Sequence, residues 1–264
     1  MENKDFKFKK KFGQNFLRDN NILNKIANSV EVTSDDMVIE IGPGGGALTS
    51  KLIEKTKNLV CFEIDTELVT ELKKYEDLGA KIIYKDFLTQ DVNSIIKDYK
   101  YKSLYMIANL PYYITTPIIT KIIDDNIPAS ACVFMVQKEV ADRLKAQPNT
   151  KQYNSLTIFI DYYFEVKKLF DVSRNAFEPK PNVDSSIILL KKRNEKKVQV
   201  KNEEVFFKLI RDSFKFKRKT LKNNLVNYNF EIIESVLRKY NLDLTVRAEA
   251  LTIEIFSEIA NALS

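Results

Sequence analysis

One amide side chain, Asn109, ends an apolar run and is followed at once by Leu110, Pro111, Tyr112 and Tyr113. A side-chain amide oxygen and the next backbone carbonyl can each accept one N–H of an exocyclic amine on a base, which directs the nitrogen lone pair at a methyl group. Tyr112 offers a face on which the base can stack. If the methyl acceptor is such an amine, the stretch could position it for methylation without a general base. Taken alone, it also fits an ordinary proline turn after a strand.

Four glycines lie between a predicted strand and a predicted helix in the stretch VIEIGPGGGALT, where they allow a sharp turn and a close approach to a ligand. The spacing Gly42-x-Gly44-x-x-Ala47 satisfies the dinucleotide fingerprint, and Glu63 lies 21 residues after Gly42, where a ribose-binding acid is expected. This pattern is typical of sites for NAD, a flavin or S-adenosylmethionine, and it also occurs in turns without a ligand.

The third predicted strand distinguishes between these cofactors. It is followed by Asp86, whose carboxylate is expected beside Glu63 at the same sheet edge, where it can accept a hydrogen bond from an adenine amino group. If one acid binds the ribose and the other binds the adenine, the glycine turn is left facing a small zwitterion and not a pyrophosphate. This arrangement favours S-adenosylmethionine. For Asp86 alone, capping a helix is the commoner role.

Strand and helix signals alternate from Met37 to Ile188 and predict a parallel, doubly wound sheet. This sheet would position the side chains described above. The stretches LTIFIDYYFEVKKLFDV and SSIILLKKR are predicted as two longer strands that extend the sheet in antiparallel fashion. From Glu203 onward the periodicity is helical, so an all-helical domain is predicted to begin near Lys191. We therefore expect one domain at 1–190 and a second at 191–264.

The composition excludes several kinds of chemistry. The 264 residues are 44% hydrophobic, enough for a large core, but they include no histidine and only two cysteines, Cys61 and Cys132. Histidine triads, disulfide scaffolds and zinc sites are therefore not expected, and no metal is predicted. No stretch approaches the about eighteen apolar residues of a membrane helix, and the amino terminus lacks the apolar segment of a signal peptide. We expect a cytoplasmic protein without a membrane partner.

The net charge of +6 is unevenly distributed. Residues 191–222 contain thirteen Lys or Arg against four Asp or Glu, and residues 1–18 contain six against two. Two basic zones that flank a net acidic middle region indicate that a polyanion binds outside the candidate ligand site. A solvated lysine-rich surface is an equally good explanation of these zones. Residues 211–222 are predicted to form a basic helix. Its expected core-facing residues are Phe214, Leu221 and Leu225, and its expected outer residues are Lys215, Arg218, Lys219 and Lys222.

The chain resembles the rRNA adenine N6,N6-dimethyltransferases, and within them the bacterial KsgA type, in the order of eight motifs. These are KKFGQNFL, EIGPGGGALT, FEID, KDFL, NLPYYITTPII, FMVQKEVADRL, NAFEPKPNVDSSI and FKFKRKTLKNNL. The resemblance implies a Rossmann-like class I methyltransferase sheet with an antiparallel addition and a small all-α C-terminal domain. It also implies S-adenosylmethionine-dependent N6,N6-dimethylation of two adjacent adenosines in the 3′-terminal hairpin of 16S small-subunit rRNA. The implied partner is the immature small ribosomal subunit, on which the protein would act as a monomer during ribosome biogenesis.

The resemblance also implies the site residues. Cofactor contacts would fall on Asn15, Leu17, Gly42, Glu63, Asp86 and Asn109. The target adenine would meet Asn109, Leu110 and Tyr112, with Phe177 stacking on its other face. A core aromatic under a proline-rich loop is the alternative for Phe177. Tyr113 stands where many relatives carry a different polar residue, and it is assigned no role.

Three other functions are compatible with parts of the sequence. The sister group that methylates large-subunit rRNA and confers macrolide resistance tends to carry Ile where this chain has Leu110, and the stretches VQKEVADRL and KRKTLKNNL also oppose that assignment. A ribosome-assembly or transcription-associated binding protein with the same fold would have lost catalysis, whereas Asn109, Glu63 and Asp86 are intact. An NAD-dependent oxidoreductase is favoured by the fingerprint but lacks an evident hydride-transfer residue.

Overall fold

A computed structural model of the chain describes residues 16–264. The strands in this range are β1 (Phe16–Leu17), β2 (Met37–Ile41), β3 (Asn58–Phe62), β4 (Lys81–Ile83), β5 (Leu104–Asn109), β6 (Ala129–Gln137), β7 (Phe164–Val172), β8 (Phe177–Glu178) and β9 (Ser185–Lys192). The α-helices are α1 (Asn20–Ala27), α2 (Thr49–Leu52), α3 (Val69–Asp77), α4 (Val92–Ile96), α5 (Thr115–Asp124), α6 (Lys138–Leu144), α7 (Ser155–Tyr163), α8 (Glu203–Ser213), α9 (Leu221–Asn224), α10 (Phe230–Leu237) and α11 (Ile253–Leu263). The longest of these helices have 11 residues, so none is long enough to cross a bilayer.

Seven of these strands form one mixed sheet in the order β4-β3-β2-β5-β6-β9-β7. Strands β2 to β6 are joined by parallel pairings, and β9 runs antiparallel to β6. All five residues of β2 are buried, as expected for a strand covered on both faces. The structure therefore confirms the predicted parallel sheet with an antiparallel addition. The two-residue strands β1 and β8 form a separate antiparallel pair.

The order of the parallel strands determines where the predicted polar residues lie. Gly42 directly follows β2, Glu63 directly follows β3, Asp86 lies three residues after β4, and Asn109 is the last residue of β5. Because these strands are parallel, their carboxyl ends share one edge of the sheet, where open α/β sheets bind ligands. The fold thus brings residues that are far apart in the sequence to one edge.

The packing of the chain divides it into two compact units. Of the described residues, one unit contains 16–141 together with Lys167–Lys192, and the other contains Asp142–Val166 and Arg193–Ser264. The second unit has its own apolar core, with Phe206, Leu237 and Phe256 completely buried. Because α7 packs in that core, this unit includes residues from before the predicted boundary at 190/191. The domain assignment 1–190 and 191–264 stays a prediction.

The prediction of one long strand across LTIFIDYYFEVKKLFDV is wrong for its first half, which forms α7. Asn154 starts this helix with a capping box, because its Oδ1 accepts from Leu156 N at 2.8 Å and its own N–H donates to Thr157 Oγ1 at 3.2 Å. Ile158 and Tyr162 lie one helical turn apart and are both buried in the core of the second unit. Tertiary packing on this helical face outweighs the strand preference of the aromatic and β-branched residues.

The prediction of a continuous basic helix over residues 211–222 is also wrong, because α8 ends at Ser213 and residues 214–220 form no helix before α9. The side chain of Asn224 closes this connection. Its Nδ2 donates to Ser213 O at 2.8 Å and to Phe216 O at 3.2 Å, and its Oδ1 accepts from Phe216 N at 3.1 Å. These bonds satisfy backbone groups that helical bonds would otherwise use. As predicted, Leu221 and Leu225 are buried, whereas Phe214 is half-buried.

Candidate active site

One pocket at the carboxyl edge of the parallel strands collects all the predicted site residues that the structure describes. These are Leu17, Gly42, Glu63, Asp86, Asn109, Leu110, Tyr112 and Phe177. Asn15 lies outside the described residues. The pocket belongs to the first compact unit. Their convergence on one cavity supports a common role, and the individual roles stay predictions.

The glycine turn has the backbone conformation that its sequence predicts. Gly42, Gly44 and Gly46 have φ values of +71°, +56° and +82°, which residues with a Cβ rarely adopt. Tyr75, on α3, holds the turn from outside, because its hydroxyl donates to Gly46 O at 2.8 Å. A Cβ atom on Gly46 would lie 2.1 Å from Cε2 of Tyr75. Only glycine therefore fits at position 46, and its partner Tyr75 was not identified from the sequence.

Glu63 joins the glycine turn to the segment after β3. Its carboxylate is almost completely buried, its Oε2 accepts from Gly44 N at 3.0 Å, and its Oε1 accepts from Asp65 N at 2.8 Å. Burial raises the pKa of Glu63, and the hydrogen bonds from the backbone oppose this shift. Each carboxylate oxygen has a second lone pair. Glu63 can therefore order the turn and still accept hydrogen bonds from ligand hydroxyls.

Glu40 is a buried acid in the pocket wall that the sequence analysis missed. It lies within β2 and is 1% exposed, and its Oε2 accepts from Thr49 Oγ1 at 2.7 Å and from Cys61 Sγ at 3.6 Å. Burial raises the pKa of Glu40 to about 7. The signal that could have identified Glu40 is a carboxylate inside the apolar run MVIEI. Charged residues are rarely buried without a partner, so an acid in a buried strand indicates a special environment.

We expect Glu40→Gln to change how stability depends on pH. The unperturbed pKa is 4.5 and the folded-state value is about 7, so between these values the folded protein retains a proton that the unfolded chain has lost. The parent should therefore lose up to about 3 kcal/mol of unfolding free energy as pH rises from 4.5 to 8, relative to a variant that cannot ionise at this position.

Denaturant unfolding at several pH values measures this difference. Glu71→Gln, at an exposed glutamate, is the matched control. The pH dependence of its unfolding free energy should match that of the parent. If the unfolding free energies of the parent and Glu40→Gln run parallel from pH 4.5 to 8, Glu40 is not protonated in the folded protein.

Asp86 caps a short helix and also lines the pocket, so its position is compatible with both roles that the sequence allowed. Its Oδ1 accepts from Leu88 N at 2.9 Å, and this caps the short 3-10 helix Phe87–Thr89. The residue is only partly buried and also lines the pocket. Because the cap uses one carboxylate oxygen, Oδ2 can serve a ligand. The adenine contact of Asp86 stays a prediction.

Asn109 and Tyr112 lie on either side of the turn formed by Leu110 and Pro111. Asn109 pairs with Met135 of β6 and is partly buried, and Pro111, with φ of −56°, leads into the 3-10 helix Tyr112–Ile114. The hydroxyl groups of Tyr112 and Ser185 are 2.8 Å apart and hydrogen-bonded, and burial raises the pKa of Tyr112. Ser185 is fully buried on β9 and thereby restrains the tyrosine ring, a function that the sequence analysis did not assign to it.

Phe177 lines the pocket and is also part of the hydrophobic core, and its stacking on the target adenine stays a prediction. It is 6% exposed and pairs with Leu17 between β8 and β1. Next to this pair, Arg18 Nη1 and Glu178 Oε2 form an ion pair at 2.7 Å. The short β1–β8 ladder therefore holds Leu17 and Phe177 side by side at the pocket.

The charge of the pocket favours a cationic ligand. Of its described lining residues, Glu40, Glu63 and Asp86 have carboxyl groups and Lys85 is basic, but burial raises the pKa of Glu40 to about 7, so Glu63 and Asp86 supply most of the negative charge. A pyrophosphate would bring additional negative charge to this surface, whereas a ligand with an ammonium or sulfonium group would offset the carboxylates. Over residues 16–264, no three His, Cys, Asp or Glu side chains are grouped as a metal ion requires.

Comparison with known proteins gives a consistent family assignment. Residues 5–264 match the profile of the family described as ribosomal RNA adenine dimethylase. The chain is 46% identical to the ribosomal RNA small subunit methyltransferase A of Bacillus pumilus, over 98% of this chain and 92% of that protein. It is 45% identical to the protein of the same name from a Geobacillus species, over 100% of this chain and 94% of that protein.

Solved structures show the same relationship. A dimethyladenosine transferase from Plasmodium falciparum superposes with a TM-score of 0.76 at 28% identity, over 92% of this chain and 95% of the other. The 23S rRNA methyltransferase ErmE superposes with a TM-score of 0.73 at 24% identity, over 94% and 99% of the two chains, and so shares the fold. The Plasmodium falciparum structure therefore agrees with the family match, and ErmE shows the fold alone.

Proposed function

The chain belongs to the ribosomal RNA adenine dimethylase family, and we propose that it dimethylates N6 of two adjacent adenosines in the 3′-terminal hairpin of 16S small-subunit rRNA, with S-adenosylmethionine as methyl donor. One observation carries this proposal: the acids Glu63 and Asp86, the amide Asn109 and the aromatic residues Tyr112 and Phe177 line the same pocket. The names of the most similar curated relatives support the small subunit as the substrate.

The charge of the pocket fits S-adenosylmethionine. This cofactor has a sulfonium and an ammonium group, which match a lining that is richer in carboxylates than in cations. In the proposal, Glu63 accepts hydrogen bonds from the ribose hydroxyls and Asp86 accepts one from the adenine amino group. Ile64, 46% exposed and next to Glu63, offers an apolar surface for the adenine ring. When bound, the cofactor supplies an electrophilic methyl group.

Catalysis in this proposal depends on position and not on a base. The side-chain oxygen of Asn109 and the carbonyl of Leu110 accept the two N–H groups of the target adenine, which turns the lone pair of N6 towards the methyl group. Tyr112 and Phe177 hold the base between two aromatic faces. After the methyl group is transferred, N6 releases a proton to solvent, so no residue has to take it up.

The other functions fit the pocket less well. An NAD-dependent oxidoreductase would need a hydride-transfer residue, and none is evident among the described residues of the pocket. The 23S rRNA methyltransferase ErmE shares the fold, but its 24% identity is well below the 46% of a small-subunit relative. A binding protein without catalysis would not require the intact pocket. We further propose that the protein acts as a monomer in the cytoplasm.

Methyl transfer to immature small subunits tests the proposed function. The purified protein is incubated with methyl-labelled S-adenosylmethionine and small subunits that lack the modification, and the labelled adenosines are located in the 16S rRNA. We expect label at two adjacent adenosines of the 3′-terminal hairpin, and none when both are replaced by guanosine. Label in large-subunit rRNA would favour the sister activity, and binding of small subunits without any label would favour the non-catalytic alternative.

Glu63→Ala should weaken S-adenosylmethionine binding by about 1.5 to 3 kcal/mol, because the variant loses charge-assisted hydrogen bonds to the ribose. It should also lower stability, since Gly44 N and Asp65 N lose their acceptor. Calorimetry measures the first effect and thermal unfolding the second. Glu71→Ala, an exposed acid on α3, is the control. An unchanged dissociation constant in a folded Glu63→Ala variant would contradict the assigned role.

A further inference from the structure

The segment Phe214–Thr220 between α8 and α9, here called the basic loop, has a defined conformation. The side chain of Asn224 bonds to Ser213 O just before the loop at 2.8 Å, to Phe216 N within it at 3.1 Å and to Lys219 O near its end at 3.5 Å. Lys217 Nζ donates to Lys151 O at 2.6 Å and so attaches the tip of the loop to another part of the same compact unit. The basic loop is therefore a built surface, able to present specific side chains to a partner.

Phe216 is the side chain in this loop whose exposure needs an explanation. It is 49% exposed, although Leu221 and Leu225 nearby are fully buried. Nζ of Lys219 lies 4.8 Å from the centre of its ring and Nζ of Lys215 lies 5.6 Å from it. An aromatic ring that is held at the surface among cations has the combination of groups with which proteins bind unpaired nucleotides.

Phosphate contacts alone would not require an aromatic residue here. Lysine and arginine side chains neutralise phosphates whatever the bases and whether or not they are paired. The exposed cations of the loop and of the start of α9 are Lys215, Lys217, Arg218, Lys219 and Lys222. A phenylalanine ring contributes no charge, but it offers a flat face on which a base outside a duplex can stack.

We propose that Phe216 stacks on an unpaired base of the rRNA while the neighbouring cations of the basic loop contact the adjacent phosphates. This inference rests on the proposed function, because it takes rRNA as the partner. It adds a base-contacting residue in the second compact unit, separate from the pocket that holds the target adenine. The basic loop would therefore prefer RNA with an unpaired nucleotide to a fully paired duplex.

Binding to two RNA hairpins, measured by fluorescence anisotropy with the full-length protein, tests the proposal. The hairpins have the same length, charge and compact terminal loop, but one stem is fully paired and the other contains a bulge of unpaired nucleotides, so only the stem differs. Phe216→Ala should weaken binding to the second hairpin roughly tenfold, the scale of one stacked base, and should leave binding to the paired hairpin nearly unchanged. Phe216→Tyr should retain the affinity, and Phe216→Leu, which keeps apolar bulk without an aromatic face, should lose it.

The salt dependence separates stacking from electrostatics. Phe216→Ala should leave the slope of log K against log salt unchanged, whereas Arg218→Ala should reduce it by roughly 0.7 to 0.9 for both hairpins. Val226→Ala, at another exposed apolar residue of the same unit, is the matched control and should have no effect. Equal affinity of Phe216→Ala and the parent for both hairpins would overturn the proposal, and so would an equal loss for both hairpins.

Methyl transfer by the parent protein distinguishes this inference from the proposed function. If the parent fails to methylate small subunits but its preference for unpaired RNA depends on Phe216, the proposed function fails and the stacking contact stands. If the parent methylates small subunits and Phe216→Ala binds both hairpins like the parent, only the inference fails. Thermal unfolding of each variant verifies that the loop substitutions leave the fold intact.

Discussion

Asn109→Ala should lower methyl transfer by roughly a hundredfold or more, a loss much larger than its effect on S-adenosylmethionine affinity. The amide oxygen is proposed to hold one N–H of the target amine in the reactive orientation, and alanine has no group that can do so. The chain contains no histidine that could take over this role. Single-turnover methylation of small subunits measures the rate, and calorimetry measures cofactor binding.

Asn93→Ala is the matched control for this experiment. Asn93 donates from Nδ2 to Asp125 O at 2.7 Å and does not line the pocket, so its loss removes an amide without touching the site. The control should methylate at the parental rate. Near-normal turnover by Asn109→Ala would show that the target amine is positioned in another way.

Gly46→Ala should reduce the unfolding free energy by about 2 to 5 kcal/mol. A residue with a Cβ is strained by about 1 to 2 kcal/mol at a left-handed φ such as +82°. In addition, the new methyl group would lie 2.1 Å from Cε2 of Tyr75 and would displace the ring, and overpacking of this kind typically costs about 1 to 3 kcal/mol. Denaturant unfolding at constant pH measures the loss.

Gly79→Ala separates the two contributions. Gly79 also has a positive φ, +104°, but no atom lies within 4 Å of a Cβ built there, so only backbone strain should affect this variant. Adding Tyr75→Ala to Gly46→Ala should relieve the clash between the new methyl group and the ring. The double variant should then show only the backbone strain and the cost of removing the tyrosine side chain. If Gly46→Ala costs no more than Gly79→Ala, Tyr75 does not restrict the glycine turn.

Several features of the site follow from short stretches of the sequence. The glycine turn needs positive φ values, and VIEIGPGGGALT supplies glycine where they occur. Alternating strands and helices dictate a parallel sheet, and a parallel sheet gathers the ends of its strands at one edge. That geometry explains why Glu63, Asp86 and Asn109, separated by more than twenty residues from one to the next, line one pocket as predicted.

Other features depended on contacts that no local pattern records. Residues 155–163 are rich in aromatic and β-branched residues, yet they form a helix because Tyr162 packs in the core of the second unit and its hydroxyl bonds to Glu203 at 3.2 Å. Residues 214–220 have the spacing of a helix, but Asn224 binds their backbone groups instead.

The sequence by itself determined the alternation of strands and helices, the glycine turn and the polar residues at the ends of the strands. Each of these features can be recognised in one short stretch of the chain. The tertiary structure alone decided which residues support them. Tyr75 holds the glycine turn from α3, Ser185 restrains Tyr112 from β9, and Glu40 loses its usual pKa through burial. These effects arise from hydrogen bonding and desolvation between elements far apart in the chain, and such distances are set only when the chain has folded.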